Sequence, residues 1–346
     1  METANKALTR RDILKGLAAA PALVGSSHAA RAADARVIKI SHQFPGGTAD
    51  SGDFRDRLTR KFAAEVEKRT GGALKFEIYP GSSLMKTVAQ FSALRKGALD
   101  MSVYPLAYAG GEVQELNIGL MPCMVTSYEQ GYAWKKAEVG RELVKLLDAK
   151  GVKIVTWVWQ AGGIASRVNP VVLPADVRGL KIRGGSREVD LMLKEAGGII
   201  SSIPSNEIYP AMQTGSVDAA VTSSTSLISF RLEEISKGLT TGRGKSFWFM
   251  LEPLVMSKSV YDSLTPAQQK VVTDVGQELE SFAVTSAKAD DDAVADVYKK
   301  VGAKVADLDD KVIAQWRKIA EAAAWPDFSK RNTECDRFLK MAKAVA

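Results

Sequence analysis

At 346 residues with 46% hydrophobic side chains, the chain is long enough to bury one large core or two medium ones. A net charge of +7, with no basic block and no aromatic-interleaved basic stripe, argues against a nucleic-acid binder. Beyond the N-terminal region no segment reaches 18 apolar residues, so nothing there is expected to span a membrane.

The first 33 residues read as an export signal rather than as fold. The run Thr9-Arg10-Arg11-Asp12-Ile13-Leu14-Lys15 leads into a weakly apolar stretch from Ile13 to Val24, and Ala30-Arg31-Ala32 supplies a small-residue cleavage site. Paired arginines ahead of a mild apolar region are similar to the twin-arginine class. Cleavage near Ala32 removes five Lys/Arg, two Asp/Glu and His28, leaving a net charge near +4 and His42 as the sole histidine. The expected location is the periplasm.

The rest of the chain contains two copies of one unit. ALRKGALDMSV (93–103) matches AMQTGSVDAAV (211–221) position by position, and in each a helix ends at a glycine, Gly97 or Gly215, that suits the left-handed C′ position. Upstream, VIKISH (37–42) corresponds to LKIRGG (180–185), and the helical runs that follow both finish on Gly-Gly. ALKFEIYP (73–80) and IISSIPS (199–205) are the second strands. Each copy is therefore β-α-β-α-β. Near-continuous apolar strands alternating with helices predict a mainly parallel sheet covered on both faces.

Ligands of open parallel sheets sit outside the carboxyl ends of the strands. Ser41-His42 and Val103-Tyr104-Pro105 end strands of the first copy. Arg183 and Val221-Thr222-Ser223-Ser224 end strands of the second, so all four groups are expected to line one cleft. Arg183 stops a strand beside a Gly-Gly turn with no obvious partner. Its planar fork matches a ligand carboxylate across a cleft that is wet when empty. The alternative is a structural ion pair with Asp218 or Glu207. Further along, Thr265 and Pro266 cap a helical pattern that runs to about Lys300, interrupted only by Gly276. A helix of that length, roughly 50 Å, is long enough to cross both lobes.

No His/Cys cluster has metal-ligand spacing, and no cofactor or metal is expected. LMPCMV reads as a core segment, which makes Cys123 a buried thiol, although a disulfide with Cys335 remains open. Catalysis is not expected: Ser41 and His42 point to opposite faces of a strand, and neither G-x-S-x-G nor G-x-G-x-x-G occurs.

The motifs FEIYPGSSL, ALRKGALDMSV, LPADVRGLKIR, NEIYPAMQTGSVDA and LVMSKSVYDSLTPAQQKVV, in this order, resemble the substrate-binding subunits of tripartite ATP-independent periplasmic (TRAP) transporters. The resemblance covers residues 36 to 300. It implies an α/β, two-lobed periplasmic-binding-protein-like fold with a long C-terminal scaffold helix. The expected division is lobe 1 over 34–160, completed by 249–285, lobe 2 over 161–248, a helix over 265–300 spanning both, and a helical segment over 301–346. The resemblance also implies that Arg183 grips a ligand carboxylate and that the small and large TRAP membrane subunits are partners. The expected function is capture of a small organic acid, such as a 2-oxo, 2-hydroxy or aromatic monocarboxylate. An extracytoplasmic sensor using the same cleft is the alternative.

Two departures from the family pattern stand out. Sialic-acid-type members carry a second arginine where Gly163 falls, with Arg167 nearby. Members for 2-oxo acids are similar through WQAGG (159–163), but they place Glu-Trp where this chain has Val221-Thr222. Valine cannot ligate a hard cation, so a cation-bridged ligand is not expected and direct hydroxyl contacts from Thr222, Ser223 and Ser224 are. The other expected cleft residues are Arg167, Gln160, Trp159, Tyr104, Tyr209, Trp248 and His42. Phe44 is a further aromatic near the cleft, and Trp157 is expected in the core.

Overall fold

A computed structural model describes residues 35–345, so the export signal read over residues 1–33 lies outside the described residues. Its strands are β1 (Arg36–Ser41), β2 (Leu74–Tyr79), β3 (Met101–Val103), β4 (Val152–Thr156), β5 (Trp159–Ser166), β6 (Lys181–Arg183), β7 (Ile199–Ile200), β8 (Ala219–Ser223), β9 (Gly238–Thr241), β10 (Phe249–Leu251), β11 (Leu254–Ser257) and β12 (Lys304–Asp307). They form two sheets, one per lobe, with the orders β2-β1-β3-β11-β4 and β12-β9-β5-β8-β6-β7, and β10 pairs with β5.

The repeat is realised element by element. In the first lobe β1, the helix Phe54–Arg69, β2, the helix Thr87–Arg95 and β3 follow one another. In the second lobe the series is β6, the helix Arg187–Glu195, β7, the helix Ile208–Thr214 and β8. Both series have the first strand in the middle and pair in parallel, β2-β1-β3 and β7-β6-β8. Gly97 and Gly215 hold φ of 68° and 77°, the left-handed conformation that stops each helix before its third strand.

The sheets are mixed rather than mainly parallel. β11 lies antiparallel between β3 and β4, while β5 is antiparallel to β8, β9 and β10. The cause is the double crossing of the chain. It leaves the first sheet after Thr156 and enters the second at Trp159; it returns between Leu251 and Leu254. The C-terminal segment, expected to be helical, opens with β12, which extends the second sheet beside β9. Helices from Asp310 to Lys343 then complete the chain.

The expected spanning helix is present in two segments, Pro266–Glu278 and Glu280–Lys300, joined at Leu279. Thr265 accepts a hydrogen bond from the Gln268 amide, Gln268 reaches back to the Thr265 N–H, and Pro266 takes the first helical position. The first segment packs on β4 and on the helix Phe54–Arg69, and the second packs on β5 and β9 of the other lobe. Gly276 lies inside the helix, not at a break. A Cβ there would come within 2.4 Å of the Val155 carbonyl oxygen, so glycine lets the helix lie directly against β4.

Both cysteines are free and buried. Burial pushes each thiol up to about 12, which leaves little thiolate at neutral pH. Among the described residues, no helix is long and apolar enough to cross a membrane.

Gly276 gives a signed test of this packing. An ordinary helical glycine gains stability on substitution by alanine. Here Gly276→Ala is expected to lower the unfolding free energy by about 1–3 kcal/mol, because the methyl group displaces the helix from β4. Urea denaturation measures the sign directly.

Candidate functional site

Arg183 ends β6 and is 1% exposed. The wet cleft expected around it is not observed, because the two lobes meet over the guanidinium. Nε donates to the Ile203 carbonyl at 3.0 Å, and Nη1 donates to the Val221 carbonyl at 2.8 Å. Nη2 donates to the hydroxyl of Tyr108, from the opposite lobe, at 2.6 Å. Tyr108 also accepts from the Ser205 amide at 3.1 Å. Gly185, at φ 94°, wraps the turn so closely that a Cβ would lie 2.6 Å from Nη1. The Gly-Gly turn therefore makes room for the arginine that precedes it.

Neither acid expected as a structural partner pairs with Arg183. Asp218 accepts from the Lys181 amide and lies 3.8 Å from Arg167. Asp190 is the acid that feels Arg183: burial raises its carboxyl, while Ser202, Arg183 and the Gly184 amide oppose the rise. Three of the five guanidinium N–H donors are occupied by neutral oxygens, which leaves one on each of Nη1 and Nη2. A buried cation with two free donors and no ion pair among the described residues is the electrostatic complement of a carboxylate.

A second buried arginine, which the sequence reading missed, shows the opposite condition. Arg55, in the first turn of the helix Phe54–Arg69, is 0% exposed. It forms a two-pronged pair with Asp53, from Nε at 2.9 Å and from Nη2 at 2.7 Å. Nη1 donates to Glu252 Oε2 at 3.0 Å and to Ser223 at 3.4 Å, and Nη2 donates to Ser226 at 3.0 Å. Its charge also sits 3.5 Å from the centre of the Phe44 ring. All five donors are used, so Arg55 fastens the first lobe to the second and has nothing left for a ligand. The segment SGDFRDRL offers no local signal for this; the charge reads as solvated until Ser223, Ser226 and Glu252 arrive from elsewhere in the chain.

Burial pushes the Glu252 carboxyl up to about 7, with Arg55 and Gln160 pulling it down. The neighbouring Asp53 carboxylate adds a smaller upward push. Gln160 also donates to Glu252 Oε2, while Glu252 Oε1 and Gln160 Oε1 have no partner.

The remaining expected residues divide into three groups. Tyr104, Trp248, Thr222 and Ser223 are buried where the lobes meet. Tyr104 stacks on Phe91 and packs edge-on to Tyr108, and its hydroxyl is unpartnered. Trp248 donates to the Gly184 carbonyl at 2.9 Å, beside Arg183. Ser223 caps the helix Ser224–Ser229. His42 and Trp159 are buried but engaged elsewhere. His42 stacks near Phe44, with Nε2 3.2 Å from Asp56. Burial would raise the Asp56 carboxyl, but His42, Arg60 and the Gly47 amide together bring it below its ordinary value. Trp159 packs edge-on against Trp134, on the face of β5 opposite to Gln160. Trp157 is core, as expected.

Arg167 and Tyr209 are corrections. Arg167 follows β5 at the end where Ser166 pairs with Ala219, the beginning of β8, whereas the Arg183 guanidinium bonds to Val221, further along β8. It is more than a third exposed, beside Asp218. Tyr209 faces away on the helix Ile208–Thr214, where its hydroxyl donates to Glu234 at 3.1 Å. Among the described residues, no group of three or more His, Cys, Asp or Glu side chains is placed to hold a metal.

The chain matches the family described as bacterial extracellular solute-binding protein, family 7 (DctP), over residues 47–331. It is 61% identical over 311 residues to a solute-binding protein of Albidiferax ferrireducens, which covers 90% of this chain and 92% of that one. It is 28% identical over 298 residues to the C4-dicarboxylate-binding periplasmic protein DctP of Rhodobacter capsulatus, covering 85% and 86% of the two chains. A crystal structure of a TRAP periplasmic solute binding protein from Rhodoferax ferrireducens with bound malonate aligns with a TM-score of 0.88 at 61% identity, covering 89% of this chain and 98% of that one. Motif order, fold and relatives agree, and the chain belongs to family 7 of the bacterial extracellular solute-binding proteins.

Proposed function

We propose that the chain captures a small organic acid outside the cytoplasm, holds its carboxylate on Arg183 between the two lobes, and delivers it to the small and large TRAP membrane subunits. One observation carries the reading: Arg183 is buried with no ion pair among the described residues and keeps one free donor on each terminal nitrogen. The relative that is 61% identical and holds malonate supports the same ligand class. A sensor would use the same cleft, but the family's place in TRAP transport favours delivery. The family is one of binding receptors, and the chain acts without catalysis. Opening of the lobes about a hinge admits the ligand, and closure then encloses it on Arg183.

Arg183→Lys is expected to lose about 2–5 kcal/mol of affinity, because an ammonium cannot present two parallel donors. Arg183→Ala is expected to lose as much and also to lower Tm, since the carbonyls of Ile203 and Val221 lose their donors. Calorimetric titration with malonate, together with melting curves, separates the two effects. Unchanged affinity in both variants would overturn the assignment.

Val221 occupies the position where related 2-oxo-acid receptors carry a metal-ligating glutamate, and its carbonyl already accepts from Arg183. Affinity for malonate is therefore expected to survive chelation and replacement of sodium by a bulky cation. Loss on chelation with recovery on adding calcium would contradict this.

The twin arginines at Arg10-Arg11 and the Ala30-Arg31-Ala32 site support cleavage near Ala32 on export to the periplasm. N-terminal sequencing of the exported protein is expected to begin near Ala33. Substitution of both arginines by lysine is expected to leave it in the cytoplasm.

A further inference from the structure

The groups around Arg183 account for one end of a ligand. The strand ends of the first lobe and the two crossings between the sheets hold a second set of polar atoms that the fold leaves without partners. Gln43, 1% exposed, follows β1, and neither its amide oxygen nor its amide nitrogen is hydrogen-bonded. Tyr104, 0% exposed, follows the neighbouring strand β3, and its hydroxyl is equally bare. The Tyr104 amide donates to the Pro253 carbonyl, which fixes it beside Glu252. Glu252 and Gln160, also buried, leave Oε1 of each side chain unpartnered. Gln160 is bonded to Glu252, the Tyr104 amide to the adjoining Pro253, and Gln43 follows the strand that pairs with the one before Tyr104. Buried polar atoms are hydrogen-bonded in nearly all native structures, so these neighbouring orphans point to a missing partner.

The set connects to Arg183 by two routes. Tyr104 packs edge-on to Tyr108, whose hydroxyl accepts from Arg183. On β8, Val221 accepts from Arg183, and Ser223, two residues on, accepts from the arginine that holds Glu252. Two residues of strand advance about 7 Å, which one small ligand spans.

The orphan atoms are mostly acceptors: Gln43 Oε1, Gln160 Oε1 and Glu252 Oε1, against the donors Gln43 Nε2 and the Tyr104 hydroxyl. Arg55 and Gln160 both donate to Glu252 Oε2, which leaves Oε1 to be satisfied from outside. We propose that the ligand is a hydroxylated monocarboxylate, whose hydroxyl groups donate to Glu252 Oε1 and Gln160 Oε1 while its carboxylate lies on Arg183. This rests on the carboxylate assignment above and narrows it. An oxo group or a second carboxylate pairs at most with Gln43 Nε2 and the Tyr104 hydroxyl, and leaves Glu252 Oε1 and Gln160 Oε1 unpaired.

The test uses acids matched in length: glycerate, propionate and malonate; threonate, butyrate and succinate; gluconate, hexanoate and adipate. Each is titrated calorimetrically into the wild-type chain at about pH 8, where Glu252 is mostly ionised. At the length that binds best, the hydroxy acid is expected to exceed both partners by about tenfold or more. Gln43→Leu breaks no hydrogen bond within the protein and is expected to keep Tm while reducing that preference. Glu252→Gln is expected to abolish the preference, with a melting curve to show that the fold persists. Malonate, succinate or adipate binding as tightly as its hydroxy counterpart would overturn the proposal while leaving the role of Arg183 intact. An unchanged preference in both variants would also overturn it. Failure of all nine acids to bind would overturn the carboxylate reading itself.

Discussion

A guanidinium enclosed by protein, with no ion pair among the described residues, is the constraint around which the rest of this molecule is arranged. Taking a cation out of water costs several kcal/mol even after relaxation. Arg183 recovers part of that from two main-chain carbonyls and a tyrosine hydroxyl, all of them neutral. Its field therefore stays uncancelled at short range, and a low local dielectric strengthens the attraction for an anion. Arg55 shows the contrast within one structure. It is surrounded by two carboxylates and two hydroxyls, and serves as a fastener. Burial alone does not make an arginine a ligand group; the state of its donors does.

The architecture supplies that condition by repetition. Each lobe contributes three parallel strands with the first strand central, so both lobes present strand ends to the same seam. The two crossings between sheets carry Gln160 and Glu252 into that seam, and the two-segment helix braces both lobes from outside. Strands and the residues directly after them thus position the polar groups described at the site, while the backbone connections between lobes stay few. A rigid site on a small number of connections is what a receptor that opens and closes needs.

The parts of this structure legible in the sequence are those set by local rules. Glycine-terminated helices followed by β-prone runs gave the repeat, and Thr265-Pro266 marked the start of the long helix. Arg183 stood out because a charge at a strand end beside Gly-Gly has no local partner. The antiparallel return of β10 and β11, the addition of β12, and the break at Leu279 depend on contacts between distant segments, and periodicity cannot see them. The same holds for Arg55, Tyr108 and Glu252. Each looks like a solvated or ordinary aromatic position until the lobes are assembled. Arg167 and Tyr209 failed for a related reason: proximity in sequence to a strand or helix end does not say which end of the sheet, or which face of the helix, the side chain takes.

The division between occupied and orphan polar groups also bears on how such receptors diversify. Arg183 and Arg55 are woven into main-chain and interlobe bonds, so replacing either disturbs the fold as well as the site. Gln43 and the Tyr104 hydroxyl hold nothing in the protein together. On the proposed reading, substitution there changes what the cleft accepts at little expense to folding, so new ligand preferences can arise in single steps without a compensating change elsewhere. On that reading the scaffold is under one kind of selection and the ligand-reading atoms under another.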